Sequence, residues 1–124
     1  MVVGSKGQIL SQGYNGFPRK INDEHSRLSY RPTKLKYVVH AEMNCIYNAS
    51  FNGTSLDGST LYVHGLPVCS ECAKGVIQVG ISRVFMCHPV KIDERWKDSF
   101  EDTANMFEEA GVEWYSYQFP YEPL

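Results

Sequence analysis

HAEMNC, residues 40–45, decides how this chain is read. His40 and Glu42 stand two apart at the opening of a run in which Met43, Ile46 and Tyr47 share one helical face. The spacing predicts a helix from about His40 to Asn52, with FNGTSLDGS as its turn-rich exit. The pairing of an imidazole with a carboxylate gains meaning from a second stretch, PVCSECAK, residues 67–74. Its thiols, Cys69 and Cys72, lie at i and i+3 and project to nearly the same side of a helix or tight turn. Both can therefore reach one ion.

Two thiolates do not complete a zinc site, and a closed structural site needs two further ligands. The chain has no second CxxC and no HxxxH pair. His40, opening the other helix, is the best third ligand, and a His/Cys/Cys set leaves the fourth tetrahedral position for water, as in catalytic zinc sites. Residues two apart on a helix point to different sides, so Glu42 is poorly placed as a co-ligand. From the first turn it can address the water and pass its proton to a leaving group. Helix N-termini favour the anions involved. Taken alone, CSEC also fits a redox pair or half of a structural zinc site, and H-x-E recurs by chance. The combination points to catalytic zinc. Cys45 and Cys87 read as buried small apolar residues. His25 and His64 read as surface or core histidines, whereas His88 follows a strand end beside Pro89, where sheets of this kind place their sites.

Length and composition set the frame. A chain of 124 residues, 43% hydrophobic and 21% charged, suits one compact domain, here residues 1–124. No apolar run is long enough to cross a membrane, and MVVGSKGQ lacks the features of a signal peptide, so a cytoplasmic home with reduced thiols is expected. The net charge of −2 gives no general attraction to long nucleic acid. The charge is uneven, however. Six of the twelve Lys and Arg residues (Arg19, Lys20, Arg27, Arg31, Lys34 and Lys36) fall within residues 19–36. That stretch reads either as a solvated loop or as a phosphate site.

Along the chain, Val2–Val3 and QILSQG read as strands joined by the turn GSKG, and GYNGFP ends the second of them. Residues 19–36 read as a long irregular loop, which in so small a domain is usually functional or disordered. TLYVH, ISRVFMC and VEWYSY read as strands, Cys69 to Gln78 as a helix, and Asp93 to Ala110 as an amphipathic helix stopped by Gly111. An opening hairpin followed by alternating helices and strands implies an α/β fold: a mixed sheet with helices packed on it.

HAEMN with PVCSECAK resembles the H-x-E…P-C-x-x-C signature of zinc nucleobase deaminases. GYNGFPR, the polar loop and HAEMN resemble more narrowly the deoxycytidylate (dCMP) deaminase family, over about Val2 to Cys87. That resemblance implies a three-layer α/β/α cytidine-deaminase-like fold with a five-stranded mixed sheet, the hairpin preceding βα units. It implies zinc held by His40, Cys69 and Cys72, with Glu42 as the catalytic proton shuttle, and hydrolysis of dCMP to dUMP and ammonia in support of dTMP synthesis. It implies Asn15 at the substrate's sugar; His88, read from its place at a strand end and not from the resemblance, is expected as a further substrate contact. It also implies a hexamer activated by dCTP and inhibited by dTTP, bound with Mg2+ near Gly13, Tyr14, Asn15, Gly16 and Asn44. Some positions depart from the family pattern. Val68 separates Pro67 from Cys69, Cys45 replaces an alanine, and YNASFNG lacks an arginine found in some relatives. Most members begin with a helix before the first strand, whereas the sequence starts almost in the strand, so one sheet face is expected to be covered by a neighbouring subunit or by the aromatic tail WYSYQFPYEPL. Rival readings are a deaminase of dCTP, of a nucleoside or of a nucleic-acid base, a non-catalytic nucleotide-binding zinc protein, and a zinc-stabilised interaction module.

Overall fold

The computed structural model describes residues 1–119. The last residues of the aromatic tail, 120–124, lie outside the described residues. Five strands form one mixed sheet: β1 (Val2–Val3), β2 (Ile9–Ser11), β3 (Thr60–His64), β4 (Arg83–His88) and β5 (Glu113–Gln118). Their order is β2-β1-β3-β4-β5. β1 runs antiparallel to β2 and β3, while β3, β4 and β5 are mutually parallel. The hairpin and the βα units expected from the sequence are both present.

The parallel pairs need crossover helices. α3 (Ala41–Phe51) lies between β2 and β3, α4 (Ser70–Gln78) between β3 and β4, and α5 (Lys97–Ala110) between β4 and β5. Right-handed crossovers advancing in one direction across a sheet place their helices on one face. Accordingly α3 packs on α4, and α4 on α5. The strands alternate to match. Leu61 and Val63 of β3, and Val84 and Met86 of β4, are buried with Ile46, Ala73, Val76 and Phe107 of the helices. The other face carries an aromatic row, Tyr62 stacked on Phe85 at 5.2 Å and Phe85 on Tyr115 at 4.9 Å.

Two elements differ from the sequence reading. Residues 19–36 are not wholly irregular, because α1 (His25–Ser29) and α2 (Arg31–Tyr37) fall within or across that stretch. Both are short, lack side-chain caps and bury no residue. They carry no apolar periodicity from which a helix could be read, although Pro32 suits the first turn of α2. The helix expected from Asp93 begins instead as a 3₁₀ turn, Glu94–Trp96, capped by the Asp93 carboxylate accepting from the Arg95 amide. It ends as expected at Gly111, whose φ of 75° is the left-handed cap geometry.

Candidate metal centre and its cavity

The two decisive motifs sit at matching places. His40 is the N-cap of α3 and Cys69 the N-cap of α4, both with extended backbone. A side chain at this position ordinarily accepts a hydrogen bond from the first helical turn. Neither does so here. Other residues cap these helices in their place. Asn15 Oδ1 accepts from the Ala41 amide at 2.8 Å, and Ser99 Oγ accepts from the Ser70 amide at 2.8 Å. The imidazole and the thiol are thereby left free to face each other.

His40 Nδ1 lies 3.4 Å from Cys69 Sγ and 3.4 Å from Cys72 Sγ. All three donor atoms fall within 4.8 Å of one another. Zinc at its usual distances from sulfur and nitrogen, with tetrahedral angles, sets N···S edges of about 3.6 Å. The one-nitrogen, two-sulfur donor set also suits that borderline-soft ion. These residues therefore fit zinc, with one coordination position left over.

The acid–base properties of the cluster follow from its compactness. A hydrogen bond from the Cys72 thiol holds the Cys69 thiol down to about 4, helped by His40. The same sharing, together with burial and the nearby Glu42, pushes Cys72 above the usual thiol range. The hydrogen bond to Cys69 raises His40 against the opposing effect of burial. Burial raises Glu42, although a hydrogen bond with Cys72 works against it. A buried cluster in which one thiol is held below its ordinary range favours a cation.

The cluster opens into a cavity of about 1150 Å³. His40, Glu42 and Cys69 line it together. Because His40 is a cap residue in extended backbone, the helical rule that separates residues two apart does not apply, and it shares the cavity with Glu42. Asn15 also lines the cavity. His88 does not: it is buried, with Nδ1 2.8 Å from the Pro89 carbonyl and Nε2 against Ser116 Oγ. It therefore braces the end of β4.

The GYNG segment is built into α3. A Cβ on Gly13 would stand 2.5 Å from the Cys45 nitrogen, so glycine allows the close approach. Asn44 Nδ2 donates to the Tyr14 carbonyl at 2.7 Å, and Gly16 bridges to Val39. Val68, the residue separating Pro67 from Cys69, is fully buried, and the Thr103 hydroxyl donates to its carbonyl at 2.8 Å. Cys45 is buried as expected, whereas Cys87 is only half-buried and lines the cavity. Sequence reasoning left out the aromatic walls, Tyr62, Phe85, Trp96 and Phe100, together with His64. Only the C-terminal end of β3 gave a signal for His64, and none existed for the rest.

Comparison with known proteins places these features in context. The family described as "Cytidine and deoxycytidylate deaminase zinc-binding region" matches residues 1–88. A "Probable deoxycytidylate deaminase" of Drosophila melanogaster is 39% identical over 91% of this chain and 58% of its own length. The "Deoxycytidylate deaminase" of Homo sapiens is 37% identical over 90% of this chain and 62% of its own. The chain thus spans about three fifths of the length of these curated relatives. A crystal structure of a dCMP deaminase from the cyanophage S-TIM5, in apo form, superposes with a TM-score of 0.67 at 26% identity. It covers 93% of this chain and 75% of the phage chain.

Proposed function

The chain belongs to the cytidine and deoxycytidylate deaminase zinc-binding family, and from that premise we propose that residues 1–124 act as one hydrolytic deaminase domain converting dCMP to dUMP and ammonia. One observation carries the reading: Glu42 lines a single cavity with His40 and Cys69, two members of the donor set that Cys72 completes. A structural zinc site has no use for that carboxylate.

In this reading His40, Cys69 and Cys72 hold zinc, which when bound lowers the pKa of a coordinated water towards neutrality. Glu42 takes the proton of the attacking water and delivers it to ring N3. It then takes the remaining proton from the C4 hydroxyl and passes it to the amine, so that the C4–N bond breaks, ammonia leaves and the C4 carbonyl forms. Its burial suits a group that must both accept and return a proton, because a carboxylate raised from its ordinary range holds the proton longer. Asn15, at the cavity wall, orients the sugar while its Oδ1 keeps the start of α3 in place. Glu42→Gln is expected to abolish ammonia release from dCMP while zinc content stays at one ion per chain. Retained turnover would remove the assignment.

The same reading extends to regulation. We infer that dCTP activates and dTTP inhibits, each with Mg2+, through Gly13, Tyr14, Asn15, Gly16 and Asn44. The support is mechanical: this segment bonds to the first turn of α3, where His40 and Glu42 stand. We also infer a homo-hexamer in the cytoplasm that supplies dUMP for dTMP synthesis. The four free cysteines suit a reducing compartment. Among the described residues no helix is long and apolar enough to cross a membrane.

A further inference from the structure

The six cations of residues 19–36 are not equivalent in the fold. The Arg19 guanidinium lies 4.2 Å over the Phe51 ring and donates to Asn48 Oδ1. Arg27 lies 5.0 Å over Tyr37 and donates to the Asn22 carbonyl at 3.0 Å. Lys20 and Lys36 do not line the cavity. Arg31 and Lys34 do line it. They stand three apart on α2 and so share one helix face. Among the described residues neither side chain has a hydrogen-bonded or ion-pair partner. Asp93, the acid that feels Arg31, is already paired with Arg95 at 2.9 Å. Glu42 is the one carboxylate lining the cavity among the described residues.

Two unpartnered cations lining the same cavity as Glu42 and two of the metal donors call for an anion carried by the substrate. We propose that Arg31 and Lys34 form the subsite for the 5′-phosphate of a pyrimidine nucleoside monophosphate whose base lies against Glu42. The inference rests on the functional reading above and assigns the phosphate end of that substrate. The connection is short enough. Lys34 precedes His40 by six residues, half of them helical, so their Cα atoms are at most about 15 Å apart. A sugar and the lysine's own stem bridge that gap. Leu28, Leu35 and Val38 line the wall beside the cations and offer an apolar seat for the sugar. Arg31 supplies a planar fork for a dianion, and Lys34 a point charge.

The test compares Arg31→Ala, Lys34→Ala and the double variant, all zinc-loaded, on dCMP and on deoxycytidine. In parallel, calorimetry measures dUMP and deoxyuridine binding. For each single variant the ratio of kcat/KM for dCMP over that for deoxycytidine should fall by about tenfold, mostly through KM. It should fall further in the double variant, and Lys34→Arg should restore part of the loss. dUMP affinity should drop alongside, and deoxyuridine affinity should not. An unchanged ratio with unchanged dUMP affinity overturns the subsite, as does an equal loss on both substrates with equal loss of both products. If the unmodified zinc protein deaminates neither compound, the proposed reaction fails, yet the two binding series still decide the subsite by the same criterion.

Discussion

His40 shows how a single residue can be legible in sequence and still be misjudged in geometry. Its identity and its distance from CSEC point to a metal, and its imidazole does lie 3.4 Å from both thiols. Its separation from Glu42 is argued from helical spacing, which the extended cap backbone sets aside. His40→Ala removes one of three donors, and metal analysis should find zinc lost from the purified variant. Full occupancy would exclude His40 as a ligand. The side chains of the cavity wall are illegible for a different reason. Trp96, Phe100, Tyr62 and Phe85 are ordinary core-type aromatics, and only tertiary structure turns them towards the site. Glu42 also carries a pH signature in the metal-free protein. Burial raises its folded-state pKa above the ordinary 4.5, so its contribution to stability is fully present below that value. The contribution is lost as pH rises through the raised value. Chelator-treated Glu42→Gln should therefore melt higher than the metal-free parent at pH 7 to 8, with the gap closing near pH 4. A gap of the opposite sign would contradict the burial argument.

At the scale of elements, the helices that present the ligands are capped from outside. Asn15 reaches α3 from the loop after β2, and Ser99 reaches α4 from the first turn of α5. Losing such a cap costs about 1 kcal/mol. Ser99→Ala should lower stability by that amount in denaturant titration and should loosen zinc, because the start of α4 carries Cys69. A variant indistinguishable from the parent in both would show that the Ser70 amide finds water just as readily. The sequence reveals where α3 and α4 begin, because His40 and Cys69 precede clear runs of helix formers. It does not reveal what caps them, since those partners lie 26 and 29 residues away. α1 and α2 are hidden for a related reason. Helices of 5 and 7 residues that bury nothing leave no apolar stripe to read.

For the molecule as a whole, one layer of three helices on a five-stranded sheet concentrates the core between them. Phe107 of α5 is fully buried at its centre. Phe107→Ala should destabilise the protein by about 3–5 kcal/mol, read as a shifted denaturation midpoint. A loss below about 1 kcal/mol would mean that the core collapses around the gap. The alternation of strands and helices makes the architecture legible, while strand order comes only from resemblance, because pairing across crossovers leaves no local trace. The borrowed caps have one more consequence, which concerns the order of events in folding. His40 and Cys69 are 29 residues apart, and each is held in place by a residue still further along or further back in the chain. Neither motif can preorganise its half of the centre alone. Unlike a zinc finger, whose ligands gather within one local unit, this centre closes late, after β3, α4 and the start of α5 have docked. Metal capture is thereby tied to the docked tertiary fold rather than to either motif alone.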